Sequence, residues 1–303
     1  MKILLTTNKT YRNLPDTGYW YVYRPLQELG HEVYWYDTVD PKEKDYDKII
    51  EKFKPDLIFC CVTGNGHITP YEPWESIKRE TRSGRTTTFN WFCDDTWRFD
   101  DGSNIVCHHF HICSTPEPTY INKYKEAGYN NIILANWHAN SAYYPCLPFD
   151  NKDIKISFIG APNAIREHFF NMAGPYVDIT QVFGLTQEEL FETYCRSQIG
   201  LNLSFNANDP EGKTQMKQRL FEITAGQGLL FTQNHIGLEE FFVTDKEMIT
   251  FESIEEFIAK AQFLLKNPSI VEKIATNGHQ RFLAEHDSKV RLEKTIEQIK
   301  TLS

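Results

Sequence analysis

Three cations and one carboxylate stand close together in the sequence: Lys213, Lys217, Arg219 and Glu222. Lysine and arginine side chains at this spacing suit a phosphorylated ligand, whose oxygens accept charge-assisted hydrogen bonds. Arg219 and Glu222 are three residues apart, so a helix places them on the same side. A carboxylate would repel phosphate, whereas it accepts hydrogen bonds from sugar hydroxyls. The pattern therefore favours a ligand that carries both a phosphate and a sugar.

The surrounding segment predicts the elements that position these side chains. A strand is expected over Ile199–Phe205, followed by a polar loop over residues 206–214. Ser204 lies near the end of this strand and is expected to be a further contact for the same ligand. Apolar residues at helical spacing predict a helix over Gln215–Gly226, and a further strand is expected over Gly228–Thr232. The loop would then lie at a helix N-terminus, where backbone N–H groups and the helix dipole attract phosphate.

The segment Glu211–Thr214 also resembles part of a P-loop, which leaves an NTP-binding enzyme as an alternative. The P-loop pattern requires glycine at position 207, and the residue there is Ala207. A solvated surface loop is the other interpretation of these charges.

A second glycine turn lies earlier in the chain. Gly160 ends a predicted strand over Lys155–Gly160 and Arg166 follows in the next predicted helix. Turns of this kind bring the backbone close to ligands at the carboxyl edge of a parallel sheet. We expect Gly160 and Arg166 to contact the same ligand, although a surface arginine is an equal alternative.

Three titratable side chains are candidates for acid–base chemistry. Asp94 and Asp95 end the predicted strand Thr86–Cys93, at an edge where ligands bind in open α/β sheets. A carboxylate there can accept a proton from a hydroxyl, and turn capping is the competing interpretation. His138 follows a strand that ends near Leu134, so it also falls at a sheet edge, and a core or surface histidine is the competing interpretation.

A metal site is not predicted. Cys107, His109, His111 and Cys113 would share one face of an extended strand, and ligands spread along one strand cannot surround a single ion.

Two loops after early strands offer further contacts. Gly18 and Tyr19 belong to the first loop, within an aromatic run that suits stacking on sugars or packing on the sheet. Gly64 lies in the loop after a strand over Asp56–Val62. We expect these residues on the side of a second substrate.

Strands alternate with helices twice along the chain, which predicts an α/β protein with two parallel sheets. The Pro145–Pro148 segment marks the expected boundary between domains over residues 1–148 and 152–285, with a terminal helix over 286–303. The net charge of −9 disfavours a non-specific nucleic-acid binder. Seven cysteines, an apolar run too short for a membrane span and a start too soon polar for a signal peptide favour a cytoplasmic protein.

The segments Arg219–Thr232 and Gly237–Glu240 resemble the donor-site signature of the spore-maturation-protein (CgeB-like) glycosyltransferases. That resemblance implies a GT-B fold, in which two Rossmann-like domains face each other across a cleft and the terminal helix packs back on the first domain. It assigns the ribose hydroxyls of a nucleotide sugar to Glu222. Many relatives carry a second glutamate eight positions earlier, where this chain has Thr214.

The resemblance implies transfer of a sugar from a nucleoside diphosphate to an acceptor hydroxyl. Helix N–H groups and fixed cations would hold the diphosphate, so no metal or other cofactor is expected. The resemblance does not specify the acceptor, which could be a glycan, a protein, a lipid-linked sugar or a modified nucleic acid. It does not specify the oligomeric state either. A metal-dependent GT-A enzyme, in which Asp94 and Asp95 would bind the metal, is a further alternative. GT-A enzymes have a single domain, whereas this sequence contains two alternations of strands and helices. A two-domain binding protein without catalysis is another alternative.

Overall fold

A computed structural model describes residues 1–11, 14–42, 45–64, 66–67, 69–205 and 213–303. The chain forms two compact units, one of Met1–Asn136 with Ser288–Ser303 and one of Trp137–Asp287. The change of unit therefore comes before the proline-containing segment Pro145–Pro148 that the sequence indicated, and the terminal helix belongs to the first unit.

Strands and helices alternate along most of the described chain. The strands are β1 Lys2–Thr7, β2 Thr10–Tyr11, β3 Leu14–Pro15, β4 Glu32–Asp37, β5 Leu57–Cys60, β6 Thr87–Trp91, β7 Ile112–Thr115, β8 Ile132–Leu134, β9 Ile154–Ile159, β10 Thr180–Val182, β11 Ser197–Asn202, β12 Leu229–Gln233 and β13 Met248–Phe251. The α-helices are α1 Arg24–Glu28, α2 Tyr46–Phe53, α3 Trp74–Ser83, α4 Asp95–Arg98, α5 Asn104–Val106, α6 Tyr120–Glu126, α7 Ala164–Ala173, α8 Gln187–Arg196, α9 Arg219–Ala225, α10 Ile254–Lys266, α11 Pro268–Glu285 and α12 Ser288–Leu302.

The first unit is built on a parallel sheet with strand order β4-β1-β5-β6-β7-β8 among the described residues. Side chains alternate across it, as a period of two requires. Ile3 and Leu5 of β1 share an apolar cluster with Leu292 and Ile296 of α12, whereas Leu4 belongs to the cluster on the other face. The terminal helix thus covers one face of this sheet and completes its core.

The second unit contains a parallel sheet with strand order β10-β9-β11-β12-β13 in the described chain. β9 and β11 are neighbours, so their carboxyl ends lie side by side. Helix α9 packs directly on β11, because a side chain at Gly200 would come within 2.5 Å of Ile223. The absence of a side chain at Gly200 therefore brings the start of α9 to the ends of β9 and β11.

Helix α9 differs from its sequence-based prediction. The apolar spacing predicted a helix from Gln215, but α9 begins at Arg219 and has seven residues. The residues Leu220–Ala225 are all buried, so the helix has no solvent-exposed stripe opposite the core. Lys213 and Lys217 precede it in non-helical chain.

No helix in the described part of the chain is long and apolar enough to cross a membrane.

Candidate active site

Two arginines lie against one phenylalanine ring at the carboxyl end of β9. The guanidinium carbon of Arg219 is 4.7 Å from the centroid of the Phe158 ring, and that of Arg166 is 5.3 Å from the same centroid. Arg166 comes from the first turn of α7, whose N-cap Asn163 accepts a hydrogen bond from the Arg166 N–H at 3.0 Å. Two elements that are distant in sequence thus bring two cations to one strand end.

Arg219 is held rigidly by two neighbouring strands. Its Nε donates to the carbonyl of Ile159 at 2.8 Å, and its Nη1 donates to Asn202 Oδ1 at 2.8 Å. A Cβ on Gly160 would stand only 2.7 Å from Arg219 Nη2, so the guanidinium fits only because this residue is glycine. Gly160 and Arg219, predicted separately from the sequence, therefore belong to one site.

Arg166 is buried yet still has hydrogen-bonding capacity. Its Nη1 donates to the carbonyl of Ala161 at 2.6 Å, whereas its buried Nε has no hydrogen-bond partner among the described residues. Burial, and then the charge of Arg219, lower the pKa of Arg166 to about 10, so the side chain is cationic at pH 7. Within the described chain neither Arg166 nor Arg219 pairs with a carboxylate. A buried cation next to a half-buried one attracts an anion.

An opening of about 150 Å³ lies beside Arg166. Gly160 and Arg166 line it together with the apolar residues Pro162 and Phe170. Its place at the carboxyl edge of the sheet, next to a glycine turn that opens α7, matches the usual ligand position in open α/β sheets.

Glu222 lies one turn after Arg219, but it does not occupy an exposed face. Its side chain is 7% exposed, within a helix whose neighbouring residues are all buried. Burial first, and then the charge of Glu222, raise the pKa of the adjacent Tyr194 phenol above its usual range. The tight contact of α9 with the sheet buries this side of the helix.

The remaining donor-side candidates have different surroundings. Lys213 is exposed and Lys217 is half-buried, and neither belongs to α9. Ser204 is buried, accepts from Asn202 Nδ2 at 3.2 Å and donates its hydroxyl to the carbonyl of Gln233 at 3.1 Å. Its hydroxyl therefore connects strand ends instead of facing an open site.

The P-loop interpretation depends on Ala207 and residues 211–212, which lie outside the described residues. Lys213–Lys217 are described and are not helical, whereas a P-loop lysine opens a helix. Lys213 therefore does not open the following helix in the described chain, as the lysine of the motif must.

A larger cavity, of about 710 Å³, lies in the first unit beyond the ends of β5 and β6. Gly64, Asp94 and Arg98 line it, together with Trp97 and Asp101. The side chain of Asp94 is 34% exposed, and its Oδ2 is 4.0 Å from Arg98 Nε. Trp97 and Arg98 were not predicted from the sequence; their position in the turn after two aspartates at a strand end was the available signal.

Asp95 is turned away from this cavity. Its carboxylate is 0% exposed and its Oδ1 accepts a hydrogen bond from the Tyr124 hydroxyl at 3.0 Å. Burial raises the pKa of Asp95 to about 6. The expectation that Asp95 contacts an acceptor is therefore incorrect, because α4 begins at this residue and turns its side chain into the core. Asp94 is the member of the pair that can reach a ligand.

His138 lies in the second unit and is 2% exposed. It stands next to Ala139, which forms a β-bridge with Asp287. This position makes His138 part of the interior of its unit, so the structure does not bring it to the cavity that Asp94 lines.

Gly18 and Tyr19 also lie apart from the cavity. The Gly18 N–H donates to Asp16 Oδ1 at 2.8 Å, and the Tyr19 ring is stacked against Trp35 with centroids 6.4 Å apart. Of the three predicted acceptor-side residues, Gly64 is the one among the cavity residues. The aromatic run packs on the sheet, which was the alternative interpretation.

The described chain holds no group of three or more His, Cys, Asp and Glu side chains placed to bind a metal ion. Cys107 and His109 belong to a helical turn, whereas Cys113 lies in β7. These residues therefore do not line one strand as the sequence suggested.

Comparison with known proteins relates this geometry to a family. A family model for glycosyl transferase-like proteins (Glyco_trans_1_2) matches residues 150–297. Curated protein sequences give no significant match.

Several solved structures have the same fold as the whole chain, and their low sequence identity makes this a likeness of fold alone. Sucrose-phosphate synthase from Thermosynechococcus elongatus superposes with a TM-score of 0.66 at 10% identity, over 100% of both chains. A glycosyltransferase from Rickettsia africae gives 0.66 at 11% identity, over 99% of this chain and 98% of the other. HepE from Anabaena, solved with UDP and glucose, gives 0.65 at 8% identity, over 99% of this chain and 100% of the other. Residues 150–297 thus resemble glycosyl transferase-like proteins, and the chain has the GT-B fold of these solved structures.

Proposed function

We propose that the second unit binds a nucleoside-diphosphate sugar at the carboxyl end of β9, with Arg166 and Arg219 on its diphosphate. The observation that carries this assignment is the contact of buried Arg166 and half-buried Arg219 with the one ring of Phe158, with neither arginine paired to a carboxylate among the described residues. A diphosphate supplies the missing negative charge and accepts from the Nε of Arg166, which has no hydrogen-bond partner among the described residues.

The same two cations favour departure of the diphosphate. When the bond between the anomeric carbon and the diphosphate oxygen breaks, negative charge accumulates on the leaving group. Arg219 is already fixed by Ile159 and Asn202, so it need not reorganise as this charge develops. We infer that fixed cations replace a metal ion in this step.

Glu222 is assigned to the ribose of the donor. It lies one helical turn after Arg219, and its carboxylate can accept hydrogen bonds from both ribose hydroxyls. The segments Arg219–Thr232 and Gly237–Glu240 also support a place in the CgeB-like subfamily.

The acceptor is assigned to the cavity of the first unit, with Asp94 as the base. Asp94 is partly exposed there, so its carboxylate can take the proton of an attacking hydroxyl. Among the lining residues that carry fixed charges, Asp94 and Asp101 are negative and Arg98 is positive, so the net charge of the cavity is negative. A negative cavity favours a neutral acceptor over a phosphorylated one. Trp97 offers an exposed ring on which a sugar can stack.

Thermal-shift measurements with UDP, GDP, ADP and ATP, each with Mg²⁺ and with EDTA, test the donor site. A nucleoside diphosphate at a hundredfold excess over Kd stabilises the native state by about 2.7 kcal/mol, which raises Tm by several degrees. Because HepE is a neighbour in complex with UDP-glucose, UDP is the first ligand to test. We expect one diphosphate to raise Tm equally with Mg²⁺ and with EDTA.

Arg166→Met retains an unbranched side chain over Phe158 but removes the charge, so it should greatly reduce this shift. Arg196→Met is the matched control, since Arg196 lies in the same unit and pairs with Asp153 on the surface. A shift that requires Mg²⁺ would refute metal independence, and a response to ATP with Mg²⁺ alone would favour a P-loop enzyme. A response in Arg166→Met equal to that of wild type would remove Arg166 from the site.

A further inference from the structure

A second polar cavity lies in the same unit, on elements other than those of the arginine pair. Its volume is about 330 Å³, and Cys146, Lys152 and Gln227 are among its lining residues. Gln227 has a φ of 54°, a left-handed conformation that non-glycine residues rarely adopt. This conformation ends α9, because the N–H groups of Gln227 and Gly228 donate to the carbonyls of Thr224 and Ile223.

A cysteine of this cavity and a buried histidine in contact with it are arranged as a nucleophile and its base. Cys146 Sγ is 3.6 Å from His279 Nε2, and His279 Nδ1 is 2.8 Å from the carbonyl oxygen of Thr224. Because a carbonyl only accepts, Nδ1 carries the proton and Nε2 presents its lone pair to the thiol. Burial lowers the pKa of His279, which keeps the ring neutral at pH 7. A nucleophile, a base and a group that orients the base are the components of an activated thiol.

The charges around the thiol come from three further side chains. Lys152 is 2% exposed and its ammonium donates to the carbonyls of Cys195 and Gly226. Burial lowers the pKa of Lys152 to about 8, so it is mostly cationic at pH 7 and favours a thiolate nearby. Asp150 and Glu272 also line the cavity, and both residues are exposed.

Accessibility distinguishes Cys146 from the other cysteines. It is the exposed one of the seven, all of which are free thiols, and the other six are buried or half-buried. Burial raises the pKa of each of those six, namely Cys60, Cys61, Cys93, Cys107, Cys113 and Cys195. An external reagent therefore meets one thiol that is both accessible and next to a base.

We propose that Cys146 and His279 form a modification site that takes small disulfides. His279 Nε2 accepts the thiol proton, and Cys146 sulfur attacks one sulfur of the disulfide. A new S–S bond forms, the original S–S bond breaks, and the released thiolate recovers the proton from His279. The two carboxylates of Asp150 and Glu272 outweigh the one ammonium of Lys152, so the site prefers a disulfide that bears ammonium groups.

Intact-mass measurements of mixed-disulfide formation test this site, with cystamine as the dicationic probe and dithiodiglycolate as the dianionic one. A free cysteine is only a few per cent thiolate at pH 7, so loss of the base should slow the reaction about tenfold or more in His279→Gln. At pH 9.5 free thiols in general are largely ionised without a base, so the two proteins should react at similar rates. Cys146→Ser should lose the fast adduct, and cystamine should react faster than dithiodiglycolate.

Gln280→Ala is the matched control on α11, because Gln280 is exposed and adjacent to His279; it should react as wild type does. The wild-type pH profile serves as a second measurement should a variant fail to fold, since an activated thiol stays reactive below the pH at which free cysteine loses its reactivity. A wild-type rate no greater than that of free cysteine at pH 7 would overturn the proposal. So would a first adduct on another cysteine, or equal pH profiles for wild type and His279→Gln.

Discussion

The Arg219 guanidinium occupies the space into which a side chain on Gly160 would extend. Arg219 Nη2 lies 2.7 Å from the position of a Cβ on Gly160, and Phe158 ring carbons lie 3.1 Å and 3.2 Å from it. Contacts under 3.0 Å force one partner to move. The end of the Arg219 side chain is the more flexible partner, so we expect it to shift and to weaken its bonds to Ile159 and Asn202.

Gly160→Ala should therefore weaken UDP binding without unfolding the protein. The loss of one charged hydrogen bond to the diphosphate corresponds to about 1.5–3 kcal/mol, or roughly tenfold or more in Kd. Titration calorimetry measures the effect. Gly66→Ala in the other unit is the control, since among the described residues its Cβ would meet no atom within 4 Å. Unchanged affinity in Gly160→Ala would separate Arg219 from the diphosphate.

Glu222→Gln should also weaken UDP binding by roughly tenfold or more, because the ribose hydroxyls lose a charged acceptor while the shape of the side chain is kept. Comparison of UDP with 2′-deoxy-UDP localises the effect to the sugar. Wild type should bind 2′-deoxy-UDP more weakly than UDP. Glu222→Gln should bind the two ligands with similar affinity. If both proteins lost the same factor, the ribose would not be the partner of Glu222.

Asp94→Asn should lower turnover by about 10²–10⁴-fold with little change in the Kd for UDP, as expected for a general base. Release of UDP from the UDP-sugar with the largest thermal shift measures turnover. Asp101→Asn is the comparison, since Asp101 lines the same cavity. Full activity in Asp94→Asn with loss in Asp101→Asn would transfer the role to Asp101.

Asp95→Asn should alter the pH dependence of stability. Burial raises the pKa of Asp95 from 3.8 to about 6, so between these values the folded state holds a proton that the unfolded state has released. The contribution of Asp95 to stability is therefore lost as pH rises from about 4 to 6. The shift of roughly two units corresponds to about 3 kcal/mol of unfolding free energy, which wild type lacks at pH 7. Because asparagine does not ionise, Asp95→Asn should be more stable than wild type by about this amount at pH 7 and should gain no stability at pH 4.

Urea unfolding of wild type and Asp95→Asn at pH 4 and pH 7 gives these free energies. Asp100→Asn is the control, because the side chain of Asp100 is exposed on the adjoining turn. A variant less stable than wild type by the same amount at both pH values would mean that the hydrogen bond from Tyr124 matters more than the buried charge.

The positions of most strands could be predicted from the sequence, because buried parallel strands are short apolar runs bounded by glycine or polar residues. The Lys155–Gly160 run became β9, and the strand before the charged loop became β11. The start of α9 was misplaced by four residues, since the apolar spacing of Met216, Leu220 and Ile223 continues before the helix begins. Met216 is buried although it precedes the helix, so the spacing of buried residues does not show where the helix begins.

The sequence by itself determined the alternation of strands and helices, the glycine turn at Gly160 and the presence of Arg166, Arg219 and Glu222. Local spacing and composition specify such features, because they depend on residues within one or two elements. The tertiary structure decided which of these side chains meet. Contact of Arg166 and Arg219 on Phe158 requires three segments to converge. The choice of Asp94 over Asp95 as the accessible carboxylate depends on which side of α4 faces the core. Neither relationship leaves a local pattern, because both arise from packing between residues far apart in sequence.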